Sequence, residues 1–492
     1  MIRELTKNRF DTKVQYLKYQ VLENVARLEW KGELLENILD IPNSIIPGRV
    51  PTMRCCVYKE RAILAERVKK AMGGDKNRHN VIQVIDIACD DCPAGGYEIT
   101  NACRGCLAHR CMEACKKDAI ALDHMQKAHI DKNKCIDCGL CSKACPYSAI
   151  IFSARPCQNA CKVKAIIMSE EKYAQIDDEK CISCGACVYQ CPFGAITDIS
   201  YICDIINIIK KSENNTRYNT YAIVAPALAS QFTDVKFGQV ITGINKLGFK
   251  YVFEAALGAD MVANKESKEL MEKGFLTSSC CPAFVNFIEK SFPNLKDNIS
   301  SNLSPMATIS KYIKEKDPDC KIVFIGPCTA KKQEIKKEEV KDYVDSAMTF
   351  EELQALLDSK DIKLEEQEEA EIKDASYFGR IFARSGGLSE AVKQGLIENK
   401  APAYFVFNPI SCNGIEECKV ALLKAQKGLL PNNFIEGMAC IDGCIGGSGV
   451  LTHGMKRKID VDTYGQNAGN KTILSSIEKL ESLDIGKPNK LS

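Results

Sequence analysis

Residues 135–146 run Cys135-Ile-Asp-Cys138-Gly-Leu-Cys141-Ser-Lys-Ala-Cys145-Pro146, and residues 181–192 repeat the arrangement as Cys181-Ile-Ser-Cys184-Gly-Ala-Cys187-Val-Tyr-Gln-Cys191-Pro192. Tight loops of this spacing wrap three thiolates around one [4Fe–4S] cube, while the fourth cysteine reaches a second cube. Zinc is a poor occupant, because zinc ribbons usually lack the third evenly spaced cysteine and the Cys-Pro. Outward from these motifs, a unit Cys-x3-Cys-x3-Ala-Ile occurs four times. Its copies are Cys111–Cys115 with Ala119-Ile120, Cys141–Cys145 with Ala149-Ile150, Cys157–Cys161 with Ala165-Ile166, and Cys187–Cys191 with Ala195-Ile196. Such self-similarity predicts a duplicated supersecondary unit.

The two complete motifs resemble those of bacterial two-cluster ferredoxins. The flanking copies are less regular. Cys103-x2-Cys106-x4-Cys111-x3-Cys115 lengthens one spacer, and Cys157-x3-Cys161 lacks its leading pair, although Cys89-x2-Cys92 lies upstream without a partner. Together these supply sixteen thiolates, enough for four cubes. The pattern resembles electron-transfer subunits that hold four clusters in two pseudo-symmetric ferredoxin folds. The expectation is two to four accessory clusters, with four preferred. The alternative is that the irregular copies are purely structural.

The chain has 492 residues, which implies two to four domains, and its net charge of +2 argues against a dominant nucleic-acid or membrane field. Its apolar stretches are too short or too interrupted to span a bilayer. Ile199–Ile209, broken by Asp204, is expected to be buried helix or strand. The first residues lack the apolar core of a signal peptide, so the expected location is the cytoplasm. In a reducing cytosol the 27 cysteines point to metal ligation rather than disulfides. Residues 1–85 have helical periodicity, as in Val21–Leu28, with breaks at Pro42 and Pro47-Gly48. Cys55 and Cys56 are expected to be small buried residues ahead of a helix from Tyr58 to Met72. From about Tyr218 onward, strand-like runs Tyr221–Val224, Lys321–Ile325 and Ala403–Phe407 alternate with helical stretches. The charged segments Lys331–Lys341 and Lys363–Lys373 are expected to be solvated helix faces or loop.

Three further cysteine-bearing segments follow the repeats. They are Thr277-Ser-Ser-Cys280-Cys281-Pro282-Ala283-Phe284, Gly326-Pro-Cys328-Thr-Ala-Lys331-Lys-Gln-Glu334, and Glu436-Gly-Met438-Ala-Cys440-Ile-Asp-Gly-Cys444-Ile-Gly-Gly447. Chemistry alone allows Cys281, Cys328, Cys440 and Cys444 to bind one more cube. Lys331 would place a cation beside it, and the glycines after Cys444 would let backbone approach a bulky metal group. In this order the three segments resemble the signature motifs of the iron–iron hydrogenases, over about residues 218–455. The resemblance implies an H-cluster, which is a [4Fe–4S] cube joined through the Cys444 thiolate to a diiron unit with CO, cyanide and azadithiolate. It also implies that Lys331 binds a cyanide, that Met438 packs near the bridging CO, and that Ala225-Pro226-Ala227 covers the second cyanide. Cys280 corresponds to the family's proton-relay cysteine, with Glu266, Glu269 and Ser300 at the family's offsets beyond it.

The resemblance makes the expected architecture α+β and α/β multidomain, with a ferredoxin-like [4Fe–4S] module followed by an α/β H-cluster domain. The expected bounds are 1–85 helical segment, 86–200 iron–sulfur domain, 215–470 catalytic domain and 471–492 tail. The implied activity is reversible reduction of protons to H2, with electrons exchanged through the clusters with ferredoxin or a similar low-potential carrier. No nucleic acid and no membrane span are expected. The alternatives are an H2-sensing regulatory protein, usually marked by a fused signalling domain that is not seen after residue 455, and a non-catalytic Nar-type assembly factor. Retention of Cys280, Lys331 and Met438 favours the enzyme. The sequence departs from the best-known pattern at Phe284 (for Trp), Gly326 (for Met), Met306 (for Gln), Ile441-Asp442 (for His-Gly) and Arg384-Ser385 (for Ala-Thr), which marks a divergent branch. His79, His109, His124, His129 and His453 lack ligand spacing, and Cys203, Cys320, Cys412 and Cys418 are expected to be buried structural thiols.

Overall fold

A computed structural model describes residues 9–75, 78–90, 92, 95–372, 374–454 and 457–482. The architecture is mixed α/β and multidomain. The ferredoxin-like repeat explains itself locally. In each copy the Ala of Ala-Ile is buried and the Ile opens a strand, giving Ile120–Leu122, Ile150–Ser153, Ile166–Met168 and Ile196–Asp198. In three copies the alanine amide donates back to the fourth cysteine: Ala119 to Cys115 Sγ at 3.3 Å, Ala165 to Cys161 at 3.1 Å and Ala195 to Cys191 at 3.2 Å. The alanine therefore turns the chain from ligand loop to strand and stabilises a thiolate at the same step.

Strand pairing resolves the irregular copies. Gly96–Ile99 pairs antiparallel with Ile150–Ser153, so residues 96–153 close into one unit. Ile82–Val84 pairs antiparallel with Ile196–Asp198, and Ile166–Met168 pairs with Ala174–Ile176. The second unit thus consists of residues around 82–92 together with 156–198, and the first unit is inserted within it. Cys89 and Cys92 are the leading pair that Cys157–Cys161 lacks in sequence.

In the remainder, two all-parallel sheets lie among helices. One has the strand order Tyr251–Glu254, Thr220–Val224, Lys321–Ile325, Ser346–Met348. The other runs Leu276–Thr277, Phe434–Met438, Pro409–Asn413. The central strands are buried along their length, as parallel strands covered on both faces must be, and Phe434–Met438 carries the buried Glu436 within its apolar run. Ala403–Phe407 is not a strand. Pro402 starts a turn there and leaves Tyr404 and Val406 exposed, and the strand begins at Pro409.

The helix Lys13–Lys31 starts with a Thr12–Gln15 capping box and ends at Gly32, whose φ of 78° is the left-handed stop. It buries Val21, Leu22, Val25 and Ala26 in a core shared with the helices Ile202–Lys211 and Phe350–Ser359. Each of the larger side chains contributes about 1.5–3 kcal/mol. The helix Val57–Ala71 follows, but Cys55 is exposed and Cys56 is not a core residue. The Cys56 thiol caps this helix, accepting from the Lys59 amide at 3.4 Å. Residues 471–482, read from sequence as tail, contain the helix Ile473–Glu481, which packs on the helix Ala255–Lys273. The last part of that segment, 483–492, lies outside the described residues, as does Lys373. No helix among the described residues is long and apolar enough to cross a membrane.

The Lys331–Lys341 segment also departs from expectation at its start, because Lys332 is fully buried. Its Nζ bonds Asp198 Oδ2 at 2.8 Å, Glu352 Oε2 at 2.8 Å and the Ile199 carbonyl at 2.8 Å. Lys18 joins the same group, reaching Asp198 at 2.5 Å and Glu351 at 2.6 Å. Two cations and three carboxylates therefore tie the first helix and the last strand of the ferredoxin-like module to the helices Thr329–Glu334 and Phe350–Ser359.

A candidate metal centre at the carboxyl ends of two parallel sheets

Every segment singled out from sequence leaves the carboxyl end of a parallel strand, where open α/β sheets place their sites. Ala225-Pro226-Ala227 follows Thr220–Val224, Cys280 and Cys281 follow Leu276–Thr277, Cys328 follows Lys321–Ile325, and Cys440 follows Phe434–Met438. Cys281 and Cys328 are the N-caps of the helices Pro282–Ser291 and Thr329–Glu334.

The four cysteines assemble as electrostatic neighbours. Cys440 faces Cys328, Cys281 and Cys444, and Cys444 faces Cys328, Cys281 and Lys331. Burial, and then mutual repulsion, pushes Cys440 well above the ordinary thiol range, Cys444 to about 12 and Cys328 to about 11. Four partly buried thiolates gathered around one cation would be costly on their own, so this donor set suits a multivalent iron–sulfur group. Among the described residues no three His, Cys, Asp or Glu side chains close on a single ion.

Around this set, Cys280 and Met438 are buried in one apolar cluster that Cys281 packs against. Lys331 is buried and held by Ser304 Oγ at 2.8 Å and Glu334 at 2.6 Å. Burial lowers its pKa, but the Glu334 carboxylate and the nearby Cys328 and Cys280 raise it further, so the ammonium persists. Ala225 and Ala227 are buried, and the Ala225 amide is fixed to the Ile325 carbonyl at 2.9 Å.

Behind Cys280 the carboxylates line up. Burial raises Glu266 to about 7, with the Ser279 amide and the Ser300 hydroxyl opposing and Glu269 adding to the rise. Ser279 donates to Glu266 Oε1 from its amide at 3.3 Å, while Glu266 Oε2 has no partner among the described residues. Ser300 Oγ donates to Glu269 Oε2 at 3.1 Å, and Glu269 ends on the half-exposed Lys273 at 2.8 Å. Burial raises Glu269, but Lys273 and the Ser301 amide outweigh it and hold the carboxyl below its ordinary value. The Cys280 thiol is pushed far up, first by burial and then by Glu266 and Cys281, and stays protonated.

The departures from the familiar pattern are compensated. A Cβ on Gly326 would lie 2.5 Å from Phe324 Cε1, so the Phe324 ring fills the space of the missing side chain. Phe284 is fully buried against Gly437. Arg384 turns away to Asp462 at 2.5 Å and Glu390 at 2.9 Å, while Gly386 and Ser389 bind the buried Glu436. Met306 is buried, and Asp442 takes a left-handed φ of 65°. The glycines after Cys444 serve another purpose than expected. A Cβ on Gly446 would strike the Ile441 carbonyl and one on Gly447 the Pro327 carbonyl, so their close approach is to backbone.

The accessory cysteines also sort into fours, with the fourth member exchanged between motifs. Cys157 faces Cys191, Cys89 and Cys92. Cys187 faces Cys184, Cys181 and Cys161. Cys111 faces Cys145 and Cys106, and Cys141 faces Cys135 and Cys115. Cys115, Cys135, Cys138 and Cys141 line a cavity of about 100 Å³, while Cys103 and Cys106 open the remaining loop. Cys184 also faces Cys328, and Cys187 faces Cys157, so one set adjoins the Cys281, Cys328, Cys440 and Cys444 group and a second adjoins that set. A far larger cavity, about 1200 Å³, lies between Arg9–Lys13 and Asp358–Glu365, away from the cysteines.

Cys320, Cys412 and Cys418 are buried thiols, and Cys418 donates to the Met438 carbonyl at 3.6 Å, while Cys203 is only partly buried. His453 pairs with Asp11 at 2.7 Å, and His79, His124 and His129 are exposed. The sequence reading missed the Lys273 terminus of the carboxylate line and the Lys331 partners Ser304 and Glu334. The i, i+4 spacing of Glu269 and Lys273 and the i, i+3 spacing of Lys331 and Glu334 were the available signals.

Residues 218–448 match the family described as iron only hydrogenase large subunit, C-terminal domain, and residues 128–151 and 174–197 match the 4Fe-4S binding domain. The chain is 30% identical over 259 residues to iron hydrogenase 1 of Clostridium pasteurianum, a match covering 43% of this chain and 45% of that one. It is 29% identical over 410 residues to the periplasmic [Fe] hydrogenase large subunit of Nitratidesulfovibrio vulgaris, covering 72% and 93%. It is also 32% identical over 117 residues to the cytosolic Fe-S cluster assembly factor NAR1 of Kluyveromyces lactis, covering 23% and 25%.

Proposed function

We propose that this chain, a divergent [FeFe]-hydrogenase-like protein with ferredoxin-like 4Fe-4S motifs, interconverts protons, electrons and H2 at an H-cluster on Cys281, Cys328, Cys440 and Cys444. Cys281, Cys328, Cys440 and Cys444 would hold this group, which when bound would supply the redox chemistry. Lys331, fixed by Ser304 and Glu334, would present its ammonium to the anionic ligands of the group. Met438 and the Ala225-Pro226-Ala227 turn exclude water from the same space. The protonated Cys280 thiol hands its proton inward and is recharged through Glu266, Ser300 and Glu269, with Lys273 at the solvent end. Glu266, near 7, is suited to passing protons both ways.

The four-cysteine sets would hold the clusters that carry electrons, the set with Cys184 facing Cys328. The source or sink of the electrons is ferredoxin or another low-potential carrier, and the setting is an anaerobic cytoplasm. The observation that carries this reading is the convergence of Cys280, Lys331 and Met438 on the four cysteines. The family resemblance assigns those three residues to a diiron unit rather than to the ligation of a cube.

The likeness to NAR1 favours a second reading, an iron–sulfur protein without H2 chemistry. Dye-coupled H2 evolution by the anaerobically matured full chain separates them. Turnover that persists in the wild type and collapses in Cys280→Ala supports the hydrogenase. A cluster-loaded chain with no turnover in either direction supports the assembly-type reading.

A further inference from the structure

The four-cysteine sets do not share one electrostatic environment. Arg155 is 2% exposed, and its Nη1 lies 3.5 Å from Cys89 Sγ while Nη2 donates to the Cys92 and Lys172 carbonyls at 3.3 and 2.7 Å. From the other side comes Arg67 on the helix Val57–Ala71, 7% exposed, with Nη2 donating to the Gly194 carbonyl at 2.7 Å and its charge facing Cys191. Gly194 is glycine for this contact, since a Cβ there would strike the guanidinium. Among the described residues no carboxylate pairs with Arg67. Burial lowers its pKa only to about 10, so it stays charged at neutral pH. Arg54 is a third cation nearby, donating to the Ala88 carbonyl at 3.0 Å, with Asp90 at 3.9 Å as a looser counter-ion. Two amides also reach this set, Ala174 to Cys89 Sγ at 3.4 Å and Ala195 to Cys191 Sγ at 3.2 Å.

The neighbouring sets differ. Cys161, Cys181, Cys184 and Cys187 receive the Ala165 amide at 3.1 Å and the Ser183 amide at 3.4 Å, with the Ala186 amide on Cys184 and the Asn80 side chain on Cys181, but, among the described residues, no guanidinium. Their nearby cation is Lys290, engaged with the Asp178 and Cys181 carbonyls. In the outer unit Cys135 sits 3.6 Å from an Asp137 carboxylate oxygen.

A cubane becomes more negative by one charge when reduced, and its potential follows local charge, hydrogen bonds to sulfur and exposure. Buried guanidiniums therefore favour the reduced form, while a carboxylate opposes it. Given that the cysteine sets hold cubes, as the proposed function requires, we infer that Arg67 and Arg155 make the cube on Cys89, Cys92, Cys157 and Cys191 the highest-potential cluster of the ferredoxin-like module. That cube keeps the resident electron, one step from the cluster that faces the catalytic four. The two arginines are positioning residues for charge and touch no substrate.

The test is an EPR-monitored redox titration of the full-length, cluster-loaded protein, with iron counted per chain. Cys157→Ala should remove about four irons and erase the first signal to appear on reduction. Arg67→Gln should shift that same signal, and no other, at least tenfold toward the oxidised form, which is about 59 mV for one electron. Arg67→Lys, which keeps the charge, should restore most of the shift, and Arg155→Gln should act in the same direction. An unchanged iron count in Cys157→Ala would remove the cluster assignment itself. A normal count with the first-reduced signal intact, or an unmoved potential in Arg67→Gln, would overturn the tuning. Should Arg155→Gln fail to fold, Arg67→Gln decides alone.

Discussion

Replacing Lys332 by methionine keeps the length of the side chain and removes a charge on which three protein layers converge. In the wild type, Lys332 and Lys18 are shared by Asp198, Glu351 and Glu352, all buried. Burial alone would raise Asp198, but Lys18 and Lys332 overcome it and hold the carboxyl far below the usual range. Its contribution to stability is therefore present above about pH 4 and lost as pH falls through its depressed pKa. Lys332→Met leaves three carboxylates to Lys18 alone. Breaking one buried pair costs about 3–5 kcal/mol, against a total stability of about 5–15 kcal/mol. The expected drop in unfolding midpoint is on the order of 10 °C, read by circular dichroism on cluster-loaded protein under argon. The sign with pH is also fixed. Without Lys332 the buried carboxylates take up protons more readily in the folded state, so the deficit shrinks from pH 8 to pH 6. Adding Asp198→Asn to the variant should recover part of the loss. A midpoint within 1–2 °C of wild type at pH 8, or a deficit that grows on acidification, would refute the reasoning.

Cys280→Ala should lower turnover about 10²–10⁴-fold while leaving cluster content unchanged, as iron counts and dye-coupled assay would show. Glu266→Gln should give a loss of similar order. It should also abolish a limb in the pH–rate profile near 7, below which the wild-type carboxyl is mostly a proton donor and above which it is mostly an acceptor. Burial raises Asp260 to about 7, against hydrogen bonds from Ser376 and Ser476 that lower it. A carboxyl raised in the folded state stabilises fully below its unfolded pKa and loses that contribution as pH rises through 7. Asp260→Asn should therefore melt higher than wild type at pH 8, with the advantage reduced at pH 5 and gone only at about pH 4. Equal melting at pH 8 would remove Asp260 as a source of pH dependence.

Cluster ligands were legible because their spacing is local. A loop that wraps a cube must write Cys-x2-Cys-x2-Cys into adjacent residues, whatever the rest of the chain does. The same holds for the parallel strands Thr220–Val224 and Lys321–Ile325, whose apolar runs need no partner to be noticed. What escaped depends on distance along the chain. Lys332 meets Asp198 across 134 residues and Lys18 meets Glu351 across 333, so both read locally as solvated charges. The insertion of residues 96–153 into a second unit is visible only once Ile82–Val84 pairs with Ile196–Asp198. Ala403–Phe407 has strand composition, yet Pro402 and two exposed side chains make it a turn. Of the candidate site, the cysteines and the carboxylates Glu266 and Glu269 are legible as candidates in the sequence. The reason for the glycines after Cys444 was not, because only the packed backbone shows that they make room for the Ile441 and Pro327 carbonyls.

The central claim is that the Cys281, Cys328, Cys440 and Cys444 site carries a diiron unit as well as a cube. Infrared spectroscopy of the anaerobically matured protein, in the window where CO and cyanide stretch, tests it directly. The account predicts bands in that window that shift on exposure to H2 and persist in Cys280→Ala. No bands after maturation, with the iron of the cubes fully present, would contradict it and leave an iron–sulfur protein without hydrogen chemistry.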